Sequence, residues 1–269
     1  MRLLTLRAVM CGLCLAVWAR AAGAVVVGAE GVRYFGNHNA QSTCGGLNEL
    51  CHTFDICDGF YSTLAGSSGS FHYHRTSCWE RDLRDVGQGG LDSSYADKAD
   101  IFLLVTHGNN NGSAITLAYD CANGGWHSDS TKWKLGDQNL EWLALYACRT
   151  IPFSSLANTC SRFFYGLHMV LGSHDSLYDS CTTDECGEDF AQNLLDGDLI
   201  SDAWLDGIDD WWCDQNAAVA AAERYETYRG GNYDWPNTTM HRDHYWGHGY
   251  TCADIPHNQV YWFSYRWIN

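Results

Sequence analysis

The chain has 269 residues and a formal net charge of −16 at pH 7. A field of this sign repels nucleic acid and anionic membrane surfaces, so we expect neither as a partner. The length suits one α/β domain with elaborations, and no repeat or Pro-rich hinge divides it.

The first 24 residues have the pattern of a secretory signal peptide. Basic residues flank an apolar run at 8–18, and small residues allow cleavage after Ala21 or Ala24. The run is shorter than the roughly 20 residues that span a bilayer. We therefore expect a secreted, extracellular protein without membrane insertion, whose mature chain at 25–269 is a single domain and a monomer.

Secretion gives meaning to two short motifs. Asn111 in NGS and Asn237 in NTT are acceptor sequons for N-linked glycans. They predict a glycoprotein if the secretory route of the host is eukaryotic.

The cysteine count predicts disulfides. Two of the 13 cysteines lie in the signal peptide, which leaves eleven in the mature chain. An oxidising compartment would pair ten of these in five disulfides and leave one thiol. Most of them lie in polar or Gly-rich segments, whereas Cys148 alone ends an apolar strand-like run. Cys148 is therefore the expected thiol, and the alternative is a disulfide to Cys160.

The beginning of the mature chain predicts a strand, a helix and a second strand. The run VVVGAEGVRYF forms the first strand from Val25. LNELCHTFDICDGFYSTL, 47–64, has mostly helical apolar spacing and ends at the Gly/Ser stretch AGSSGS. SFHYHRT, 70–76, alternates as a strand and places His72 and His74 on one face.

Three apolar runs in the middle of the chain predict buried strands. IFLLVT at 101–106, LEWLALYA at 140–147 and GLHMVLGS at 166–173 are continuous, as in strands covered on both faces of a parallel sheet. Between the second and third runs, 152–166 begins near a proline and ends at a glycine. This segment predicts a helix that forms a right-handed parallel crossover.

The remaining chain predicts further helices and a last strand. Helical patterns cover 186–212 and 215–228, and the aromatic run QVYWFSYRW at 259–267 predicts the strand. Together the elements predict a three-layer α/β/α sandwich around a mostly parallel sheet, stapled by disulfides. Ligands of such folds bind at the carboxyl ends of the strands.

Two of the buried strands end in reactive side chains. His107 directly follows 101–106, and Cys148 directly follows 140–147, so both lie at one edge if the strands are adjacent and parallel. An imidazole within reach raises the thiolate fraction of a cysteine and makes it a nucleophile. Gly108 lets the backbone approach a substrate, so its N–H and that of Cys148 would form an oxyanion hole. This pattern predicts an acyl-transfer site.

The segments ADIFLLVTHGNNNG and LEWLALYACRT resemble the His-Gly and Ala-Cys strand-end motifs of the caspase-like cysteine peptidases, which include caspases, legumains, gingipains, clostripain and separase. GLHMVLGSHD is similar to the next strand of that family, whose following loop helps shape the specificity pocket. The resemblance covers roughly 97–190 and implies a dyad of Cys148 as nucleophile and His107 as general base and acid. The caspase pattern Q-A-C-x-G is absent around Cys148, so specificity does not carry over.

Other polar groups have competing interpretations. His174, at the end of the third buried strand, is the second candidate for the base and, with Asp175, a candidate pocket residue. The acidic run LDGIDDWW either lines a pocket for a basic side chain or faces solvent. The three histidines of HRDHYWGHG do not share a helical face, so we expect loop histidines, no metal and no cofactor. The segment Trp79–Asp82 has no assigned role.

Three functions remain open from the sequence. The first is a secreted cysteine endopeptidase or transpeptidase that acts on a peptide or protein. The second is a catalytically inactive protein of the same fold that acts as an extracellular binding module. The third is a glycan-binding protein that uses its 12 tryptophans and 15 tyrosines. A Cys148 thiol favours the first, a Cys148 disulfide the second, and sugar-dependent tryptophan quenching the third.

Overall fold

The computed structural model describes residues 25–35, 47–65, 68–74, 77–110, 112, 114–119, 127–151, 153–179, 183–209, 215–229 and 232–268. The predicted signal peptide lies outside these residues. So do the sequon at Asn111 and four cysteines, Cys44, Cys121, Cys181 and Cys213.

A seven-stranded sheet forms the centre of the fold. The described residues form twelve strands: β1 (Val27–Gly31), β2 (Phe71–His74), β3 (Ile101–Val105), β4 (Gly108–Asn110), β5 (Ile115–Ala118), β6 (His127–Asp129), β7 (Trp142–Tyr146), β8 (Met169–Ser173), β9 (Ala217–Glu223), β10 (Tyr228–Arg229), β11 (Asn232–Tyr233) and β12 (Trp262–Trp267). The central sheet has the order β12-β9-β8-β7-β3-β1-β2. Neighbours from β2 to β8 pair in parallel, and β9 pairs antiparallel with both β8 and β12. The prediction of an α/β fold around a mostly parallel sheet is confirmed.

Helices cover mainly one face of this sheet. The described α-helices are α1 (Thr53–Leu64), α2 (Leu156–Cys160), α3 (Cys186–Asp196) and α4 (Ile200–Ile208). Helices α1, α3 and α4 bury Phe60, Phe190 and Trp204 against one face. The other face is covered by the small sheet β4-β5-β6, by α2 and by short turns around Phe163 and Phe164. None of the helices in the described ranges has the length and apolar character needed to cross a bilayer.

Short 3₁₀ helices supply many of the connections. In the described residues they are Glu80–Asp82, Val86–Gln88, Asp92–Ser94, Ala96–Lys98, Ser130–Lys132, Phe153–Ser155, Tyr225–Thr227, Trp235–Asn237, Thr239–His241 and His257–Gln259. The predicted helix at 152–166 is represented by one of these turns and by the five residues of α2. The long helical pattern at 186–212 is divided into α3 and α4, because Gly197 ends α3 with a φ of 93°.

Burial on both faces explains the continuous apolar runs of the central strands. In β3, Phe102 and Leu104 face one core, and Ile101, Leu103 and Val105 face the other. A strand covered on both faces has no polar side to display, so its sequence does not alternate.

The segment predicted as a helix at 215–228 forms strand β9 instead. Its sequence AAVAAAE has high helix propensity. All seven residues are buried, however, between β8 on one side and β12 on the other. Alternate alanines face the two cores, and their small side chains let both layers approach the sheet. Tertiary packing therefore overrides the local propensity.

The predicted disulfide framework is wrong. Seven described cysteines carry thiols, and they are Cys51, Cys57, Cys78, Cys148, Cys160, Cys186 and Cys252. Five bridges cannot be made from the four cysteines that lie outside the described residues. Cys148 is a thiol as predicted, and the alternative of a bridge to Cys160 is also wrong. In the described residues, apolar packing and buried polar contacts hold the fold together.

A buried ion pair closes the amino-terminal edge of the sheet. His168 directly precedes β8, and its Nδ1 lies 2.8 Å from Oδ2 of Asp243, with both side chains fully buried. Asp243 also accepts hydrogen bonds from Trp142 Nε1 at 2.7 Å and from Cys252 N at 2.6 Å. Burial lowers the pKa of His168, but the carboxylate of Asp243 outweighs this effect and raises the pKa to about 10. The charged pair thus ties the C-terminal segment to the sheet.

We expect Asp243→Asn to lower the free energy of unfolding by about 3–5 kcal/mol, because it leaves a buried imidazolium without its counter-ion. The fold raises the pKa of His168 from about 6.5 to about 10, so the native state binds more protons than the unfolded state between these values. The stabilisation is therefore complete below about pH 6.5 and is lost as the pH rises through about 10. The difference in free energy of unfolding between wild type and Asp243→Asn should therefore become smaller from about pH 6 to 8 to 10, and denaturant unfolding at these pH values measures it.

The matched control is Asp254→Asn. Its carboxylate lies 3.5 Å from Nε2 of the same histidine, but the Asp254 side chain is 65% exposed. An exposed partner contributes little, so we expect a loss below about 1 kcal/mol. A loss in Asp243→Asn that does not change with pH would contradict the assignment.

Candidate active site

The carboxyl ends of β3 and β7 bring His107 and Cys148 side by side. The strands are adjacent and parallel, with Val105 opposite Tyr146. Thr106 N donates to Tyr146 O at 3.2 Å, so the pairing continues beyond the strand end. His107 and Cys148 come next in this register, with their backbones about one strand spacing, ~5 Å, apart. Both residues are half-buried, and the predicted common edge is confirmed.

Gly108 packs directly against the backbone of Cys148. A Cβ atom at position 108 would lie 2.5 Å from the carbonyl oxygen of Cys148 and 2.9 Å from the Cβ of Ala147. It would also lie 3.2 Å from the amide nitrogen of Cys148. Only glycine fits here, because any side chain would push the two strand ends apart. The two residues named for the oxyanion hole are thus backbone neighbours.

A backbone carbonyl holds the imidazole of His107. Its Nε2 lies 2.8 Å from the oxygen of Asn48, and the ring packs against Phe35 with centroids 4.7 Å apart. When Nε2 carries the proton it donates to this carbonyl, and Nδ1 is left as the basic nitrogen. The described residues show no hydrogen bond between the side chains of His107 and Cys148. Sequence reasoning missed Asn48, because its contribution is a backbone carbonyl that any residue has.

The thiol of Cys148 contacts the loop that follows β8. Its sulfur accepts from Leu177 N at 3.4 Å and lies 3.6 Å from Leu177 O. Tyr146 anchors this loop by donating to Tyr178 O at 2.8 Å. The backbone of Leu177 therefore offers the sulfur both a donor and an acceptor, which fixes the position of the Cys148 side chain.

The same loop is joined to the beginning of α1. The carboxylate of Asp179 accepts hydrogen bonds from Cys51 N and from His52 N, the latter at 2.9 Å. The segment that includes Asn48 and the loop that includes Leu177 are therefore held together beside the two reactive side chains.

A strained turn follows Cys148. Arg149 has a φ of 54°, and no other non-glycine residue in the described ranges has a positive φ. Ser173 stabilises the turn, since its Oγ accepts from Arg149 N at 2.9 Å and donates to Ala147 O at 2.8 Å. The Arg149 side chain pairs with Asp175 at 3.1 Å. A left-handed conformation costs about 1–3 kcal/mol and persists where surrounding contacts enforce it, often at functional sites.

The two predicted pocket residues separate in the structure. Asp175 is exposed and lies beside the turn through its pair with Arg149. His174 turns away, because its Nε2 lies 3.3 Å from Ile268 O and its ring stacks on Phe153. The contacts of His174 therefore place it against the C-terminal segment.

The remaining sequence candidates lie elsewhere. In LDGIDDWW, Asp206 and Asp209 are exposed, and the second aspartate of the DD pair lies outside the described residues. The side chain of Asn237 is exposed. The histidines of HRDHYWGHG have separate contacts: His241 with Thr238 at 3.0 Å, and His244 with the carbonyl of Gly197 at 3.0 Å.

Burial sets Cys148 apart from most other described cysteines. Burial raises the pKa of Cys57, Cys78, Cys160 and Cys252, which keeps these thiols protonated and unreactive. Cys148 is accessible and lies at a strand end beside an imidazole.

The segment Trp79–Asp82 contacts β1 through the side chains of Asp82 and Glu30. Burial, and then the nearby Asp82, raise the pKa of the fully buried Glu30 well above its usual range. Burial also raises the pKa of Asp82 to about 6, although its Oδ2 accepts from Trp79 N at 2.8 Å. The two carboxyl groups therefore hold at least one proton near neutral pH, one strand away from β3.

The fold and site define a mixed α/β protein with a thiol and an imidazole at adjacent parallel strand ends. Residues 30–267 match the family described as a domain of unknown function, DUF6345. The chain belongs to this family, and the match includes every strand of the central sheet except the first three residues of β1. No curated protein matches the chain.

We expect Ser173→Ala to lower the free energy of unfolding by about 1 kcal/mol, because the turn loses the hydrogen bonds of Ser173 Oγ while Arg149 N keeps Asp175 O as a partner. The turn should loosen, and alkylation of Cys148 should change in rate. Thermal unfolding and mass spectrometry of the labelled cysteine measure the two effects. Ser176→Ala, in the loop after β8, is the matched control. Equal behaviour of both variants would show that Ser173 does not hold the turn.

Proposed function

We propose that the protein is a cysteine hydrolase of the caspase-like type, a secreted endopeptidase or transpeptidase, with Cys148 as nucleophile and His107 as general base and acid. One observation carries the proposal: His107 and Cys148 follow adjacent parallel strands in matching register, with Gly108 packed on the backbone of Cys148. The resemblance to the caspase-like peptidases implies a dyad with this placement.

The proposed reaction uses these groups in two steps. His107 removes the proton of Cys148, and the sulfur attacks the carbonyl carbon of a peptide bond. The N–H groups of Gly108 and Cys148 stabilise the oxyanion, and the C–N bond breaks as the imidazolium protonates the leaving amine. Water, or a second amine in transpeptidation, then attacks the thioester, with His107 as base, and the Cys148 thiolate leaves and is reprotonated.

The surrounding contacts fit the roles of the two residues. The carbonyl of Asn48 fixes the ring of His107 and favours the tautomer with Nδ1 basic. Leu177 N and Leu177 O both contact the sulfur and hold it at the end of β7. No hydrogen bond joins the side chains of His107 and Cys148 in the described residues, and we propose that this contact forms when substrate binds.

The state of Cys148 also bears on the inactive alternative. A disulfide would block the nucleophile, and Cys148 is a thiol. Of the pocket candidates, Asp175 keeps its place beside the turn, so we propose that it contacts the substrate.

We expect Cys148 to react with iodoacetamide at about pH 6 roughly tenfold faster than Cys51, because an ordinary thiol is largely protonated there whereas an imidazolium stabilises a thiolate. Cys51 is the internal control, since it is an exposed thiol on the same chain. Mass spectrometry of each labelled cysteine across pH measures the rates. Cys148→Ala should abolish cleavage of a mixed peptide library.

The base is tested by a pair of histidine variants. His107→Ala should slow labelling of Cys148 at about pH 6 by roughly tenfold, because it removes the ion-pair partner. His174→Ala should leave the rate unchanged, because its imidazole contacts Ile268 instead. If Cys148 labels no faster than Cys51 and His107→Ala changes nothing, the two residues do not form a dyad.

A surface cluster of aromatic rings favours glycan binding as a second candidate function. Tyr225, Tyr233, Trp235 and Tyr261 are each more than 40% exposed. Tyr233 contacts Trp235 and Trp262 with ring centroids 5.2 and 4.7 Å apart. Exposed rings in contact provide the flat apolar surfaces with polar tips that suit amphipathic ligands such as sugars.

We expect soluble oligosaccharides to quench the tryptophan fluorescence of this cluster if it binds glycans, because Trp235 is 44% exposed. Trp235→Ala should remove at least half of the quenching. Trp267→Ala, a tryptophan of similar exposure outside the cluster, is the matched control. An absence of quenching across an oligosaccharide panel would reject this function.

A further inference from the structure

A second group of reactive side chains lies between α1 and the edge strand β2. Nε2 of His72 lies 3.1 Å from Oδ1 of Asp58, and Nε2 of His74 lies 3.4 Å from the same oxygen. A ligand atom from each of the three residues lies within 4.8 Å of the other two. Two imidazole nitrogens and a carboxylate oxygen therefore converge on one point.

We propose that Asp58, His72 and His74 bind a divalent transition-metal ion such as Zn²⁺. Neutral imidazole together with a carboxylate is a donor set that suits zinc and its neighbours, whereas Mg²⁺ and Ca²⁺ prefer oxygen ligands alone. Bonds of about 2.0–2.2 Å to one ion place two ligand atoms roughly 3.0–3.5 Å apart. The distances of 3.1 and 3.4 Å agree with this spacing.

The local structure explains why these three residues meet. His72 and His74 alternate with Tyr73 on β2, so both point to the face that α1 covers, in register with Ala29 and Gly31 of β1. Asp58 lies on α1 between Phe54 and Tyr61, four and three residues away, so the three share one helical face. The spacing of a strand and the spacing of a helix thus bring the ligands together.

Aromatic rings fix the orientation of both imidazoles. His74 stacks on Phe54 with centroids 4.1 Å apart, and His72 stacks on Tyr61 at 5.0 Å. Rings held in this way lose little freedom on binding an ion, so the site is pre-organised. The Asp58 side chain is 57% exposed, which leaves a path for the ion and room for water to complete its coordination.

The alternative is that the cluster is held by histidine–aspartate ion pairs alone. Such a pair would be joined by a charge-assisted hydrogen bond. Nε2 of His72 is buried and makes no hydrogen bond to any described residue, despite its distance of 3.1 Å from Asp58. This geometry fits ligation better than a hydrogen-bonded pair.

The test is zinc titration of the metal-stripped full-length mature protein by calorimetry, with bound metal counted by mass spectrometry. We expect about one equivalent of Zn²⁺ and no competition from Mg²⁺. His72→Ala, His74→Ala and Asp58→Asn should each weaken zinc binding by more than about tenfold. Mutation of residues that only hydrogen-bond to metal ligands already lowers metal affinity by roughly 10–100-fold. Binding should weaken as the pH falls, because protons compete with the metal ion for the imidazole nitrogens.

Matched variants control for charge and for folding. Asp55→Asn removes the same charge from α1 at a similar exposure, 61%, and His248→Ala removes an exposed histidine, so both should bind zinc like the wild type. Cys148→Ala should also bind normally, and His72→Ala should keep the thiol reactivity of Cys148, so failure of this proposal and of the hydrolase proposal are distinguishable. With Co²⁺ as the probe, the absence of thiolate-to-metal charge-transfer absorption should exclude cysteine ligands.

Stability provides the second readout. Zn²⁺ should raise the melting temperature of wild type and Asp55→Asn, but not that of Asp58→Asn. Because the Asp58 side chain is exposed, we expect Asp58→Asn to fold like the wild type, so a missing shift reports lost zinc binding. Less than half an equivalent of bound zinc, or equal affinity in Asp58→Asn and Asp55→Asn, would overturn the proposal.

Discussion

The parallel pairing of β3 with β7 is the constraint on which the candidate active site depends. Both strands are buried on both faces, so neither can shift by one residue without moving its apolar side chains into the wrong core. This fixed register carries forward to the first residues after each strand. His107 and Cys148 are adjacent because the hydrophobic cores on either side of the sheet fix the strands that precede them.

The positions of small residues then decide how closely the chain segments approach. Gly108 allows the end of β3 to touch the backbone of Cys148, and the alanines of β9 allow covering layers on both faces. Charged groups in the interior follow a different rule, since each is held by a partner or kept protonated. Asp243 is the counter-ion of His168 at the amino-terminal ends of the strands. Burial raises the pKa of Glu30 in β1 and of the neighbouring Asp82, so this pair of carboxyl groups retains a proton.

The features predicted correctly from sequence are those set by local pattern. Continuous apolar runs identified β3, β7 and β8, and the adjacent parallel pairing of β3 with β7 was expected from them. The errors arise where distant residues decide the outcome. The alanine run of β9 favours a helix until β8 and β12 are present to pair with it. The prediction of five disulfides assumed that most cysteines lie in surface loops. Four of them are instead buried in the two cores: Cys57, Cys78, Cys160 and Cys186. The carbonyl of Asn48 left no signal in the sequence.

Helix α1 connects the two proposed sites. Its outer face carries Asp58 toward His72 and His74, and the residues before it donate to Asp179 in the loop that contacts Cys148. An ion bound between α1 and β2 would fix the helix against the edge of the sheet. The loop is held without the ion, because Asp179 is bonded to the backbone at the beginning of that helix and Tyr146 donates to Tyr178 O. A continuous set of contacts through α1 and Asp179 therefore links the imidazoles on β2 to the thiol that follows β7, although different residues serve each chemistry.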